Sequence, residues 1–355
     1  MDEKLLKVLD NFRIEGNVKD VCRYGEGHIN ITYLVTTDKK RYILQRINDT
    51  VFPDTDGLMK NICGVTDHLK KRGIETLNVI KTKDGKSYLK GDEPYRVYDF
   101  IENTVVYQTA DDIEMFANSG AAFGEFQNYL ADYDASTLVE IIPRFHDTPK
   151  RFADFKASLK ADVLGRAAEC KREIDYVLSM ENTYSTAVED LKSGNLPLRV
   201  THNDTKLNNV LIDATTKKAR AVIDLDTVMP GSTLYDFGDS IRFGASTAGE
   251  AEEDLDKVHF DIGKFKAYAE GYCSAVRTTM TKRERELLAY GSYLMTIECG
   301  MRFLADYLAG VVYFRVEKKG DKKNLIRSRT QIKLASEIYA RFDDCGKIIK
   351  NIFEG

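Results

Sequence analysis

The chain has 355 residues, 43% of them hydrophobic and 30% charged, with 24 glycines and 6 prolines. These are the proportions of a globular protein with one large or two modest cores, not of a disulfide mini-protein, a collagen or a disordered segment. Lys+Arg 52 against Asp+Glu 56 leaves a formal net charge of -4, the wrong balance for a dedicated nucleic-acid binder. No apolar run approaches the roughly 18 residues that a membrane span needs. The start, Met1-Asp2-Glu3-Lys4-Leu5-Leu6, lacks the basic region and apolar core of a signal peptide. The expectation is a cytoplasmic protein with neither nucleic-acid nor membrane partners. Six cysteines (Cys22, Cys63, Cys170, Cys273, Cys299, Cys345) without a Cys-x-x-Cys spacing read as buried free thiols in a reducing compartment.

Residues 4–12 have the spacing of a short amphipathic helix. Residues 18–24, 32–36 and 41–47 are rich in Val, Ile, Tyr and Thr and are separated by Gly25-Glu26-Gly27 and Asp38-Lys39-Lys40, which predicts a strand meander. Helical spacing over 58–71 stops at Gly73. Two short strands are expected around 78–81 and 87–89 with Asp84-Gly85 as their turn, and 94–101 is a further apolar run. Beyond residue 102 helices dominate: 111–130, 150–160, 166–191, 261–277, 283–312 and 325–352. Leu287, Leu294, Met301 and Leu308 recur every seventh residue and predict one buried stripe along a long helix. The lysine-rich stretch 317–329 is expected to be a solvated loop between helices. The helical half carries one β-rich interruption, 198–227. The fold class is therefore α+β and two-lobed, with a strand-rich lobe over 1–101 and a helical lobe over 102–355.

The interruption carries the chemistry. It reads Val200-Thr201-His202-Asn203-Asp204-Thr205-Lys206-Leu207-Asn208-Asn209-Val210-Leu211-Ile212, then a turn, then an apolar strand ending at Ile223-Asp224-Leu225-Asp226-Thr227. Phosphoryl transfer needs one carboxylate to orient and deprotonate an attacking hydroxyl, and an amide oxygen with a second carboxylate to hold magnesium across the nucleotide phosphates. Asp204, Asn209 and Asp224 supply these groups in that relation. Any one of these Asp residues alone reads equally as a turn or a cap; the combination of His-x-Asp-x4-Asn, strand, turn, strand and Asp does not.

With these residues in view, the chain resembles the kinase-like fold of the aminoglycoside phosphotransferases and choline kinases, and within it looks most like the N-acetylhexosamine 1-kinases. The segments that carry the likeness are 24–30 (Tyr-Gly-Glu-Gly-His-Ile-Asn), 42–48 (Tyr-Ile-Leu-Gln-Arg-Ile-Asn), 96–101 (Arg-Val-Tyr-Asp-Phe-Ile), 202–209, 224–227 and 301–308. The resemblance implies a bilobal kinase that uses ATP and Mg2+ to phosphorylate the anomeric hydroxyl of an N-acetylhexosamine. In it Asp204 is the base and touches the acceptor, while Asn209 and Asp224 hold the metal. Asp236-Phe237-Gly238 spells the protein-kinase metal motif, but follows the metal strand by a dozen residues with no apolar strand before it; Asp236 is expected to cap a helix and brace the catalytic loop. His202 is expected to brace the backbone rather than move protons.

On the nucleotide side, Gly25, Gly27, His28 and Asn30 form a glycine-rich turn between strands that can approach phosphates through backbone N–H groups. The lysine that protein kinases carry on the third strand is missing. Gln45 stands on the face of Ile43 and Arg46 on the other, and either is a candidate for the phosphates. In this fold the segment between the lobes takes adenine through its backbone, which points to Asp99 and Ile101. On the acceptor side the resemblance assigns Arg302 and Tyr313 to the sugar; without it, Arg302 reads as a helix pair with Asp306. The rival readings are a kinase for another small alcohol (choline, homoserine, methylthioribose or an aminoglycoside) and an inactive kinase-fold scaffold.

Overall fold

A computed structural model describes residues 2–25, 29–314 and 322–355. The chain begins with helix α1 (Glu3–Leu9), whose first turn is capped by the Asp2 carboxylate. Three strands follow, β1 (Val18–Arg23), β2 (Ile31–Thr37) and β3 (Arg41–Arg46), then helix α2 (Thr55–Lys71), and then β4 (Val79–Ile80) and β5 (Tyr95–Asp99). They form one antiparallel sheet in the order β1-β2-β3-β5-β4. Strand alternation puts Tyr42 and Leu44 of β3, with Val35 and Val97, on the back face against Leu5, Leu9 and Phe12. The opposite face carries Ile43 and Gln45 and looks into the cleft beneath the sheet. The hairpin turn at Asp84-Gly85 forms, with Thr82 N–H bonded to Lys86 O, but 87–89 is no strand. Leu89 makes only a single bridge to Tyr95, because β5 is already flanked by β3 and β4.

The remaining chain is mainly helical: β6 (Thr104–Val105), α3 (Ile113–Tyr129), α4 (Thr148–Ala161), α5 (Lys171–Ser179), α6 (Thr186–Ser193), β7 (Arg199–Thr201), β8 (Val210–Asp213), β9 (Ala219–Val222), β10 (Met229–Gly231), α7 (Thr233–Gly244), α8 (Ile262–Ala275), α9 (Lys282–Leu308), α10 (Lys323–Ala340) and α11 (Phe342–Glu354). Two expected helices are broken. The stretch 166–191 divides into α5 and α6 with 3-10 turns at 167–170 and 181–183, and 325–352 divides at Arg341. Uninterrupted apolar spacing does not reveal such breaks, because each half keeps its own buried face. β7 pairs with β10, and β8 sits between β6 and β9, so two small sheets hold the catalytic segment.

Helix α9 starts with a capping box between Thr281 and Glu284. Leu287, Leu294, Met301 and Leu308 are all buried as expected, and so is most of the rest of the helix. The lysine-rich stretch is partly helix: residues 317–321 lie outside the described residues, while Arg327 pairs with Glu250 and Arg329 with Glu173 on α10. All six cysteines are free, and Cys170, Cys273 and Cys345 are buried, but Cys22 is exposed.

Candidate active site

The catalytic loop runs from the end of β7 to the start of β8. Asn203 takes a left-handed conformation, φ 63°, which turns the chain sharply enough to aim Asp204 into the cleft. The fully buried Asp236 carboxylate holds this turn, accepting the N–H of His202 at 2.9 Å, the N–H of Asn203 at 2.8 Å and the Gln127 side chain at 2.7 Å. The brace is as expected, but the helix cap is not. Asp236 lies inside the first turn of α7, and Ser232 is the cap. His202 is buried with its ring edge-on to Phe123 and its Nε2 2.8 Å from Ile223 O, a structural placement that ties this loop to the end of β9.

Asp204 is partly exposed, and Lys206 Nζ lies 2.7 Å from its Oδ1. Asn209 Nδ2 donates to the Asp204 carbonyl at 2.8 Å and to its Oδ2 at 3.1 Å. This fixes the Asn209 amide so that its oxygen points away from the base. The backbone carbonyl of Asn209 accepts from Ile223 N–H, which brings β8 and the end of β9 into register and sets Asp224 beside it. Asp224 is also left-handed, φ 59°. Its carboxylate is open to solvent at the cleft floor but densely surrounded by protein, and that crowding, with Asp226 and Asp204 close by, pushes its pKa up to about 6. Asp204 is paired with Lys206 and Asp226 with Arg96, but no ion pair among the described residues reaches Asp224, and a carboxylate crowded by two others gains from a divalent ion. Among the described residues no group of three or more His, Cys, Asp or Glu side chains has metal-binding spacing. Magnesium does not need one: one or two protein oxygens with phosphates and water suffice, and Asn209 with Asp224 fit.

Asp226 is the hub that the sequence reading missed. Its carboxylate is buried, with Oδ1 ion-paired to Arg96 Nη2 at 2.6 Å and Oδ2 accepting the Asn30 amide at 2.5 Å. Arg96 is cross-strand from Gln45 and donates from Nε to Gln45 Oε1 at 3.0 Å; Gln45 in turn donates to Thr32 at 3.0 Å. Gln45 therefore faces the cleft but spends its amide on the sheet. Arg46 is turned to the other face, 2.8 Å from Glu93. The signal available in sequence was the second Asp of Asp224-Leu225-Asp226 and an Arg in an otherwise apolar strand.

Of the glycine-rich turn, Gly25 has φ 70°, and Gly27 and His28 lie outside the described residues. Asn30 is buried, with Oδ1 receiving Asn48 N–H at 3.0 Å. Asp99 ends β5, its carboxylate paired with Lys40 at 2.9 Å. The N–H of Ile101 has no partner among the described residues, and Phe100 lies edge-on to Tyr24.

Arg302 and Tyr313 form a second group at the far end of α9. Asp306 does not pair with Arg302; it accepts the N–H of Val312 at 2.8 Å and of Tyr313 at 2.6 Å and bonds Asn324. Arg302 instead lies over the rings of Phe145, Tyr313 and Phe314, between 5.3 and 5.8 Å from their centroids, and makes no ion pair among the described residues. Tyr313 is 64% exposed, so it forms a rim. No hydrogen bond or ion pair among the described residues joins either to Asp204. The nearest chain of contacts runs from α9 through Cys299, Glu250, Arg242 and Asp239 to the Thr205 N–H.

Two carboxylates, Asp204 and Asp224, with the Asn209 amide and a five-stranded antiparallel sheet followed by a mostly helical region, are the arrangement of a kinase-like fold. The sequence matches the phosphotransferase enzyme family over residues 20–272, and the chain belongs to that family. A homoserine kinase of Zymomonas mobilis is 23% identical over 285 residues, 79% of this chain and 80% of that one. An aminoglycoside phosphotransferase from Alicyclobacillus acidocaldarius superposes with a TM-score of 0.63 at 13% identity, covering 98% of this chain and 96% of that one. Spectinomycin phosphotransferase, solved with ADP and spectinomycin, gives 0.59 at 13% over 97% and 98%. At these identities the structures establish a common fold. No helix among the described residues is long and apolar enough to cross a membrane.

Proposed function

We propose that the chain transfers the γ-phosphoryl group of ATP to the anomeric hydroxyl of an N-acetylhexosamine, giving the sugar 1-phosphate and ADP. The observation that carries the transfer is the grouping of Asp204, Lys206, Asn209 and Asp224 at one cleft floor. Asp204 takes the hydroxyl proton as the hydroxyl oxygen attacks. Lys206, 2.7 Å from Oδ1, orients the Asp204 carboxylate and keeps positive charge beside the transferring group. Mg2+, held by Asn209 and Asp224, would neutralise the phosphate oxygens. The hinge at Asp99 and Ile101 takes the adenine, and the turn at Gly25 to Asn30 covers the phosphates. The N-lobe, residues 1–101, carries the nucleotide, and the C-lobe, 102–355, carries catalysis and acceptor.

The acceptor reading rests on Arg302, a guanidinium with no ion pair among the described residues, set among three aromatic rings. Such a site supplies hydrogen-bond donors and an apolar face to a neutral sugar and repels a cation such as choline. Homoserine is the second reading: it is supported by the relative of that name, and its carboxylate would meet the same guanidinium.

The test measures ADP formed with Mg2+ and ATP over N-acetylglucosamine, N-acetylgalactosamine, glucose, homoserine, choline and an aminoglycoside. Turnover on the N-acetylated sugars that disappears with their methyl glycosides supports the reading. Turnover on homoserine or a cationic alcohol alone overturns the acceptor and keeps the class. Silence throughout with ATP still bound favours a scaffold.

A further inference from the structure

The third strand of this sheet has no lysine for the phosphates, yet a cation does stand on the cleft face one strand away. Arg96 is 1% exposed, one of the largest fully buried side chains in the molecule. Its Nε is held by Gln45 Oε1 at 3.0 Å, its Nη2 lies 2.6 Å from Asp226 Oδ1, and its guanidinium sits 5.2 Å from the centre of the Tyr98 ring. The other oxygen of Asp226 takes the Asn30 amide. One carboxylate therefore joins the sheet, the start of β2 just after the glycine-rich turn, and the loop that carries Asp224. That loop needs an anchor: Asp224 is a non-glycine residue held in a left-handed conformation, which persists only when its surroundings over-determine it. Burying an ion pair is not in itself stabilising, so its retention here points to placement.

We infer that Arg96 is the positioning residue of the metal site: working from the strand beside the vacant lysine position, it locks Asp226, and through Asp226 it fixes the Asp224 loop and the Asn30 end of the phosphate turn. It acts on protein, not on phosphate: Nε bonds Gln45, Nη2 is ion-paired with Asp226, and Nη1 lies 4.0 Å from the Met59 sulfur. In protein kinases the strand lysine pairs with a glutamate of the neighbouring helix and meets the phosphates; here the pair is rotated by one strand and spans the two lobes. The inference rests on the proposed metal role of Asp224.

The experiment titrates Mn2+ into the full chain loaded with ADP, and separately titrates ADP in EDTA, both by calorimetry. Arg96→Lys keeps a positive charge but cannot fork to both partners. It is expected to weaken Mn2+ binding about 10-fold or more, the effect of losing an outer-shell support, with ADP in EDTA changed less than about threefold. Asp226→Asn should do the same, and the double variant should be no weaker than the weaker single, as for two parts of one unit. Loss of ADP affinity in EDTA as large as the loss for Mn2+ would mean that Arg96 meets phosphate directly and overturns the inference; so would unchanged Mn2+ binding, or additive losses. If circular dichroism shows Arg96→Lys unfolded, Gln45→Ala carries the test: it removes one prong and leaves the ion pair, and should weaken Mn2+ by about threefold. Asp224→Ala runs alongside. If it leaves Mn2+ binding intact, the metal assignment itself fails, which is distinct from a failure at Arg96 alone.

Discussion

The base role proposed for Asp204 belongs to the scale of one side chain. Its Oδ1 faces Lys206 at 2.7 Å and its Oδ2 takes the Asn209 amide at 3.1 Å. Asp204→Asn keeps the shape and removes the base, so turnover should fall about 100-fold or more while calorimetric ATP affinity stays near the parent; near-normal rates would remove Asp204 from its role. Lys206→Ala should lower kcat with little effect on nucleotide affinity in the absence of metal, since among the described residues its ion pair is with Asp204. The sequence already displayed Asp204, Asn209 and Asp224, because their spacing is local to two strands and a loop. It did not display what Gln45, Asn30 and Asp226 touch: those partners lie up to 196 residues apart in the chain, and only the packing of sheet on loop brings them together.

Elements set the precision of that placement. The Asp236 carboxylate on α7 satisfies two backbone N–H groups of the catalytic loop and the Gln127 amide. Asp236→Ala would strand these donors in a buried site, and urea unfolding should report a loss of about 3 kcal/mol. Helices α3 and α8 meet through small residues. A Cβ built on Gly124 would stand 2.5 Å from the Tyr272 carbonyl, and one on Gly271 2.3 Å from that of Ala117. Gly124→Val should cost about 2 kcal/mol or more by driving the helices apart, read as a lowered urea midpoint with an unchanged slope. The helix periodicities gave α3, α4, α8 and α9 close to their observed bounds. They ran α5 into α6 and α10 into α11, since a break that preserves the buried face leaves the apolar pattern intact.

Across the whole molecule the core does not stop where the strands end. Leu58, Met59, Ile62, Val65 and Leu69 of α2 share one hydrophobic cluster with α3, α7, α8 and α9, while the back of the sheet packs separately on α1. Asn61 of α2 donates to Val139 O at 2.7 Å and Val228 O at 2.9 Å and accepts Val139 N–H at 2.8 Å. Helix α2 is therefore pinned to the helical region by buried hydrogen bonds as well as by apolar contact. Heat should unfold the chain in one transition with calorimetric and van't Hoff enthalpies equal; two separated peaks would show lobes that fold independently.

The sequence by itself pointed to the two-lobed α+β class, to most of the strands and long helices and to the spacing of Asp204, Asn209 and Asp224, because each of these is written in short-range periodicity or in the spacing of one loop. The tertiary structure alone decided that Arg96 pairs with Asp226, that Arg46 turns away to Glu93, that Arg302 meets aromatic rings instead of Asp306, and that α2 belongs to the common core. Cross-strand register and helix packing join residues far apart in sequence, and no local pattern encodes which of them will face one another.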